Sequence, residues 1–243
     1  MLPCFRKNLA IMKPIMINKR KVSIVIPTKN EAKTVKTVIK KCQKYASQVI
    51  VIDGHSTDQT QRIVKSLGVQ LILDNKKGKG AAMRKSMDYV NNDVVVFIDA
   101  DGSHDPNDIP KLVKPILQKK ADYVIASRML GGSDELHGSL GKFIRLIGSE
   151  IITIGINLRF KSKITDSQNG FRAIKKSVLK DLNLKENITT IEQEMLMKVL
   201  KKGYKVVEIS SHEYARKYGH SKIEVKKMAF RYVYSWLKYM IVN

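Results

Sequence analysis

Val94-Val95-Val96-Phe97-Ile98-Asp99-Ala100-Asp101-Gly102-Ser103-His104-Asp105-Pro106 is the stretch from which the fold can be read. Its apolar run, residues 94–98, predicts a strand buried on both faces, as in a parallel sheet. Two carboxylates, Asp99 and Asp101, follow at the C-terminal end of that strand. In open α/β sheets ligands gather outside the carboxyl ends of the strands. Side chains at i and i+2 of an extended segment point the same way. Asp99 and Asp101 can therefore grip one divalent ion, and a hard cation such as Mg²⁺ takes both carboxylate and phosphate oxygens. The plainer reading is a strand followed by a solvated acidic turn, because Asp, Gly and Pro favour turns.

Outward from that strand, strand and helix patterns alternate. Residues 22–26 form an apolar run ended by Pro27, and residues 31–45 carry helical spacing at Val35, Val38, Ile39 and Cys42. Residues 49–52 give a second strand ended by Asp53-Gly54. A helix capped by Ser56 or Thr57 then runs to Leu67. Residues 69–73 are a third strand, and residues 76–80 open a helix reaching about Val90. Downstream, a helix starting at Asn107 or Asp108 runs to Lys119, and residues 121–126 are a fifth strand. This order predicts a mostly parallel sheet with helices on both faces. The pattern then loosens: a long apolar helix over 140–160, a short strand over 171–174 and a helix over 190–202. A strand over 205–209 and a closing amphipathic helix over 222–242 complete it. Residues 1–21 read as a basic extension in which Met16 offers a second start, 22–225 as the main domain, and 226–243 as a separate interface helix.

The 243 residues carry 45 Lys+Arg against 22 Asp+Glu, a formal net charge of +23. Such a balance calls for anionic partners: phosphorylated substrates, an anionic membrane surface or nucleic acid. Cys4 and Cys42 form neither a disulfide framework nor a metal-ligand spacing, which points to a reducing compartment. No stretch reaches the roughly 18–20 apolar residues of a membrane span.

Three further motifs sit where the alternation predicts the same sheet edge. Pro27-Thr28-Lys29-Asn30-Glu31 follows the first strand, with Asn30 placed to cap the helix and Thr28 and Glu31 facing the edge. Asp53 ends the second strand; a lone strand-end Asp is usually a cap, but three acidic clusters at one edge suit the base, ribose and metal-diphosphate of a nucleotide. Lys77-Gly78-Lys79-Gly80 precedes a helix, where glycine lets the backbone approach an anion. It is neither a Walker loop nor a dinucleotide fingerprint, and the plain alternative is a lysine-rich turn.

In this order, with Ala126-Ser127-Arg128, the motifs resemble the family-2 glycosyltransferases of GT-A fold. Thr165-Asp166-Ser167-Gln168-Asn169-Gly170-Phe171-Arg172 and Arg216-Lys217-Tyr218-Gly219-His220-Ser221-Lys222 are similar to the polyprenyl-phosphate sugar synthases, the dolichyl-phosphate mannose synthase group. The resemblance covers about residues 22–225. It implies a GT-A (Rossmann-like) α/β fold with an amphipathic C-terminal interface helix. By position it implies that Pro27, Thr28, Glu31 and Asp53 hold base and ribose, with Lys79 and Gly80 also on the donor. Asp99 and Asp101 would hold Mg²⁺ or Mn²⁺ and the donor diphosphate, and Arg128 would contact phosphate. Arg145, Arg172, Arg216 and Lys222 would cluster around the acceptor phosphate and the leaving diphosphate. Asp53-Gly54-His55 and Ser103 depart from the family pattern, leaving Ser103 or, less well, His104 as third metal ligand.

The expected reaction is an inverting, metal-dependent transfer of a sugar from a nucleotide donor to polyprenyl (dolichyl) phosphate at the cytoplasmic membrane face. GDP-mannose comes first, and UDP-glucose or UDP-N-acetylglucosamine is open. An acceptor phosphate is already anionic, so metal and arginines suffice by electrostatics and positioning. A saccharide hydroxyl acceptor would need a base, for which Asp166 is the candidate. A nucleic-acid-binding protein is the rival from another class. Its basic residues, however, are not interleaved with aromatics as on a stacking platform. Two stretches are membrane candidates. Residues 140–160 read equally as a core helix, whereas the closing helix is read as lying on anionic lipid with Tyr232, Trp236 and Tyr239 at headgroup depth.

Overall fold

The computed structural model describes residues 18–136, 140–216, 218 and 225–241. One seven-stranded sheet organises them. Its strands are β1 (Val22–Thr28), β2 (Gln48–Asp53), β3 (Gln70–Leu73), β4 (Val94–Phe97), β5 (Tyr123–Ser127), β6 (Arg172–Lys175) and β7 (Val206–Ser210), in the spatial order β3-β2-β1-β4-β6-β5-β7. The helices are α1 (Val35–Cys42), α2 (Thr60–Ser66), α3 (Lys79–Lys85), α4 (Ile109–Leu117), α5 (Arg128–Gly131), α6 (Leu140–Phe160), α7 (Lys176–Asp181), α8 (Ile191–Lys201) and α9 (Val225–Ile241).

The strands read as unbroken apolar runs because both of their faces are covered. Ile24 and Ile26 of β1 pack with Val35, Val38 and Ile39 of α1 and with Leu112 and Val113 of α4. The intervening Val25 packs on the other side with Ile50, Ile52, Phe97 and the α8 residues Met195 and Leu196. Each such side chain stabilises the fold by about 1.5–3 kcal/mol relative to exposure.

Strand β1 runs past Pro27, which the sequence reading takes as its end. Ile98 N–H donates to the Val25 carbonyl at 3.2 Å, whereas Gly54 N–H donates to that of Thr28 at 2.8 Å. Alternation then turns residue 27 toward β4, and the β1–β4 pairing has already ended at Val25↔Phe97. The missing Pro27 N–H costs no ladder bond there.

The feature that completes the functional edge is β6. It is antiparallel to both neighbours, with Phe97↔Arg172 and Ile125↔Arg172 in register. Its N-terminal end therefore lies at the carboxyl ends of β4 and β5. That reversal brings residues 165–171 beside Asp99 and Arg128.

Helices α6 and α9 pack on each other and on α8. Each buries one face and exposes another. On α6, Ile152 and Ile156 are buried, while Ile147, Ile151, Ile154 and Leu158 form an exposed stripe. On α9, Tyr239 is buried and Tyr232, Trp236 and Met240 pack against the core, while Phe230, Tyr234, Leu237 and Ile241 are exposed. Both stripes follow the i, i+4, i+7, i+11 spacing of a single helix face. This corrects the expected placement of Tyr232, Trp236 and Tyr239 at a membrane: they hold α9 to the domain. Trp236 packs so tightly on Gly155 of α6 that a Cβ there would collide with its ring. The helix thus packs one of its faces on the core. No helix among the described residues is long and apolar enough to cross a membrane.

Candidate active site

The edge of the sheet at Asp99 and Asp101 is a network of paired charges. Lys79 Nζ lies 2.7 and 2.9 Å from the two oxygens of Asp99, and 2.8 Å from Glu192 Oε1. Burial alone would lower the Lys79 pKa; the charges of Asp99 and Glu192 more than reverse this, so the ammonium stays protonated. Burial alone would raise the Asp99 carboxyl; Lys79 brings it below the usual carboxylate range. Gly170 makes the approach possible. A Cβ on it would stand 2.7 Å from Lys79 Nζ and 2.8 Å from Asp99 Oδ2.

Asp101 is buried and held from two sides. Gly102 takes a positive φ of 79°. That turn lets the Ser103 N–H and hydroxyl both donate to Asp101 Oδ1, at 3.0 and 2.7 Å. Arg216 Nη2 sits 2.8 Å from Asp101 Oδ2. His104 is buried against Phe171 at 5.3 Å between ring centroids, and burial depresses its pKa, keeping the ring neutral at pH 7.

Arg128 and Asp166 form the second pair. Arg128 Nε and Nη2 donate to Asp166 Oδ2 and Oδ1 at 2.7 and 2.9 Å, and the Arg128 backbone N–H adds a bond of 3.1 Å. The N–H groups of Gln168 and Asn169 donate to Asp166 Oδ1 as well, at 3.2 and 3.1 Å. Burial would raise this carboxyl, but Arg128 holds it below the usual range. Asp166, expected as a base for a hydroxyl acceptor, is instead a strut: both oxygens are occupied and its proton affinity is low. Arg128 also faces Glu213 at 3.5 Å.

Several expected contacts are absent. Arg172 is fully buried. Its guanidinium bonds to the carbonyls of Asn169 and Glu192 and to the Tyr123 hydroxyl, so it braces β6 and does not reach an acceptor phosphate. Asp53 is likewise fully buried, accepting from Ser56 N, Ser56 Oγ and Gln61 Nε2 at 2.8, 2.6 and 2.8 Å. It caps its own turn and has no face open to a base. Thr28 turns its hydroxyl back to the Ile26 carbonyl. Asn30 does not cap α1; its Oδ1 accepts the Thr57 N–H. The glycines of 77–80 approach backbone, not an anion: a Cβ on Gly80 would meet the Glu186 and Ile188 carbonyls at 2.6 and 2.7 Å. Helix α3 starts there because Ala81 N–H is donated to the Asn187 carbonyl at 3.0 Å. Pro27 and Glu31 do lie at the edge, partly buried. Arg145 donates to the Glu135 carbonyl at 3.1 Å, and Lys222 lies outside the described residues.

Comparison with known proteins names the class of this edge. The model of "Glycosyl transferase family 2" matches residues 23–182. The chain belongs to glycosyl transferase family 2. Among relatives of this glycosyltransferase is glycosyltransferase AglJ of Haloferax volcanii, 30% identical over 197 residues. That match covers 80% of this chain but only 63% of AglJ, so the chain spans less than two thirds of that relative. A UDP-N-acetylglucosamine–dolichyl-phosphate N-acetylglucosaminyltransferase of Methanococcus voltae is 30% identical over 185 residues, covering 67% of this chain and 72% of that protein. The fold matches glucosyl-3-phosphoglycerate synthase of Mycobacterium tuberculosis, crystallised with Mn²⁺, UDP and phosphoglyceric acid. The TM-score is 0.74 at 20% identity, over 92% of this chain and 80% of that one. The same enzyme was also crystallised with Mg²⁺ and UDP. The architecture is thus the GT-A fold expected from the sequence.

The donor set of this glycosyltransferase suits a hard divalent ion. Asp99 and Asp101 stand two residues apart just past the end of β4, and each already faces a cation of the chain, Lys79 for Asp99 and Arg216 for Asp101. Among the described residues no three His, Cys, Asp or Glu side chains converge into a closed metal cage. An ion held by one or two carboxylates with its other positions given to phosphate and water matches Mg²⁺ chemistry. As placed, Ser103 orients Asp101. Glu192 and Glu213 belong to the edge but carry no site motif in the sequence. Glu192 shows only as an acid in the first turn of α8, and one of its oxygens, Oε2, is buried with no hydrogen-bond partner.

Proposed function

We propose that this chain transfers a hexose, with inversion, from a nucleotide-sugar donor to polyprenyl (dolichyl) phosphate, while resting peripherally on the cytoplasmic face of an anionic membrane. The observation that carries the reading is the charge network at the edge. Lys79, Arg128 and Arg216 converge on it, while Asp166, the carboxylate suited by sequence to serve as a base, is locked by Arg128. An acceptor phosphate is an anion that needs no base. Bringing it to a diphosphate needs cations that can be released to it. Asp99 and Asp101 would hold Mg²⁺ or Mn²⁺ together with the donor diphosphate. When bound, the ion supplies Lewis-acid stabilisation of the leaving nucleoside diphosphate. Lys79 and Arg216, which stand against the two carboxylates, would face the phosphates, and preorganised cations of this kind act where charge develops. Pro27 and Glu31 border the space for the base and ribose.

The flank of the site suits a lipid-borne acceptor. Two packed helices, α6 and α9, each turn an apolar stripe to solvent in a chain of net charge +23. Exposed apolar faces beside basic residues suit an anionic lipid surface. The Methanococcus voltae relative, named for a dolichyl-phosphate acceptor, supports the same class.

A second reading, transfer to a saccharide hydroxyl, has one observation in its favour. Burial, and then the Asp166 charge, pushes the carboxyl of Glu150 on α6 above the usual carboxylate range. Incubation with radiolabelled GDP-mannose, UDP-glucose and UDP-N-acetylglucosamine, each with polyprenyl phosphate, followed by lipid extraction, separates the readings. Label in the lipid phase that survives Glu150→Gln supports the phosphate acceptor. Label found only on added saccharide, and lost in Glu150→Gln, overturns it.

A further inference from the structure

The segment 185–188 and helix α9 enclose a depression of about 370 Å³ on the side of the sheet opposite α1. Lys185, Arg231 and Lys238 line it, with Glu186 as its acid. Glu186 is already engaged by Lys238 Nζ, the Tyr239 hydroxyl and the Thr190 hydroxyl at 3.1, 3.0 and 2.7 Å. Lys185 and Arg231 are exposed and form no ion pair among the described residues. Two cations are therefore left without an anion in one concave site. Tyr234 belongs both to this depression and to the exposed stripe of Phe230, Tyr234, Leu237 and Ile241. The site lies outside the catalytic edge: the 186–188 backbone separates it from Gly78–Gly80 and Lys79.

We propose that this depression is a binding site for the phosphate headgroup of an anionic phospholipid, whose acyl chains lie along the apolar stripe of α9. The inference rests on the membrane reading of the proposed function and gives it a location. A phosphodiester supplies the one negative charge and the acceptor oxygens that Lys185 and Arg231 lack. A guanidinium can take two such oxygens at once. Tyr234, with an apolar ring and a polar tip, suits the boundary between headgroup and chain. A free phosphate would fill the cationic half and leave the stripe bare, so a lipid is the occupant that matches both parts.

The test is cosedimentation of the full chain with vesicles of phosphatidylcholine alone, with phosphatidylglycerol added, or with polyprenyl phosphate added. Lys185→Gln combined with Arg231→Gln removes the unpaired cations. Lys40→Gln combined with Lys44→Gln removes the same charge from exposed positions at the end of α1, across the sheet. Both variants are checked for an unchanged thermal melt. The wild type is expected to bind phosphatidylglycerol vesicles over neutral ones. The Lys185/Arg231 variant is expected to bind them about 30-fold more weakly, from about 1 kcal/mol per cation near an anionic leaflet, and the Lys40/Lys44 variant as wild type. Equal losses in both variants, or recruitment of wild type by polyprenyl phosphate alone, would overturn the headgroup site while leaving the proposed acceptor standing. Failure of the wild type to bind any vesicle would overturn the site and the membrane reading together.

Discussion

Replacing Asp166 by Asn distinguishes a strut from a base. The amide is the same size as the carboxylate, so no cavity forms. Every oxygen position of Asp166 now accepts, however: Oδ1 from Arg128, Gln168 and Asn169, and Oδ2 from Arg128 twice. Whichever position receives the NH₂ group sets donor against donor at two or more contacts. The Arg128 side chain, 12% exposed, then keeps, among the described residues, only Glu213 at 3.5 Å as an ionic partner. Breaking a buried pair in this way costs about 3–5 kcal/mol. For a chain of this size each kcal/mol is worth about 2–4 °C in Tm. The expected fall is therefore about 6–20 °C, read by calorimetry on the purified variant at neutral pH. The pH dependence has a defined sign. Because Arg128 holds the folded-state pKa of Asp166 below its unfolded value of about 3.9, the pair's contribution is complete above that value and is lost as pH falls through the folded pKa. The Tm difference between wild type and variant should thus narrow below about pH 4. A variant that melts with the wild type but has lost all turnover would refute the strut and restore Asp166 as a base.

Asp101→Asn removes the charge that Arg216 now faces; affinity for Mn²⁺, measured by electron paramagnetic resonance, is expected to fall at least about a hundredfold, since a unit charge at about 4 Å is worth about 4 kcal/mol in an effective dielectric of about 20. Unchanged Mn²⁺ affinity would place the ion elsewhere. Gly170→Ala pushes a methyl between Lys79 and Asp99; overpacking of this kind costs about 1–3 kcal/mol, and nucleotide-sugar binding by titration calorimetry should weaken while the protein still folds. Binding equal to wild type would remove that pair from the donor site. Deleting residues 226–243 strips Tyr232, Trp236, Tyr239 and Met240 from the core. Loss of a large buried aromatic costs about 3–5 kcal/mol, against a total stability of about 5–15 kcal/mol. The truncated chain should therefore show no cooperative melt. A soluble product that melts cooperatively would make α9 the separate interface helix that its sequence suggests.

The first half of the fold is legible because β1, β2, β4 and β5 are covered on both faces, so burial writes itself as apolar runs punctuated by Pro27, Asp53 and Asp99. Strand β6 is harder. Four residues, Arg-Ala-Ile-Lys, give no period, and a fully buried Arg172 runs against every expectation for a guanidinium. Its reversed direction, which carries residues 165–170 to the edge, has no local signature at all. At the site, the paired acids Asp99 and Asp101 are visible because chemistry needs them adjacent. Their partners Lys79, Glu192 and Arg216 come from distant segments, and only tertiary packing unites them. Asp53 misleads because a strand-end carboxylate looks the same whether it meets a ligand or caps its own turn. The closing helix misleads for a related reason. Its aromatics are spread around the axis, and sequence cannot say which face meets protein and which meets solvent.

The proposed acceptor is a lipid phosphate. The most direct measurement incubates the full chain with a radiolabelled nucleotide sugar, Mg²⁺ or Mn²⁺ and polyprenyl phosphate in anionic vesicles, then partitions the products between organic solvent and water. Label is expected in the organic phase as a sugar phosphate of inverted anomeric configuration, lost on chelation and lost in Asp101→Asn. Label that stays in the aqueous phase with every donor, while an added saccharide becomes glycosylated, would contradict it.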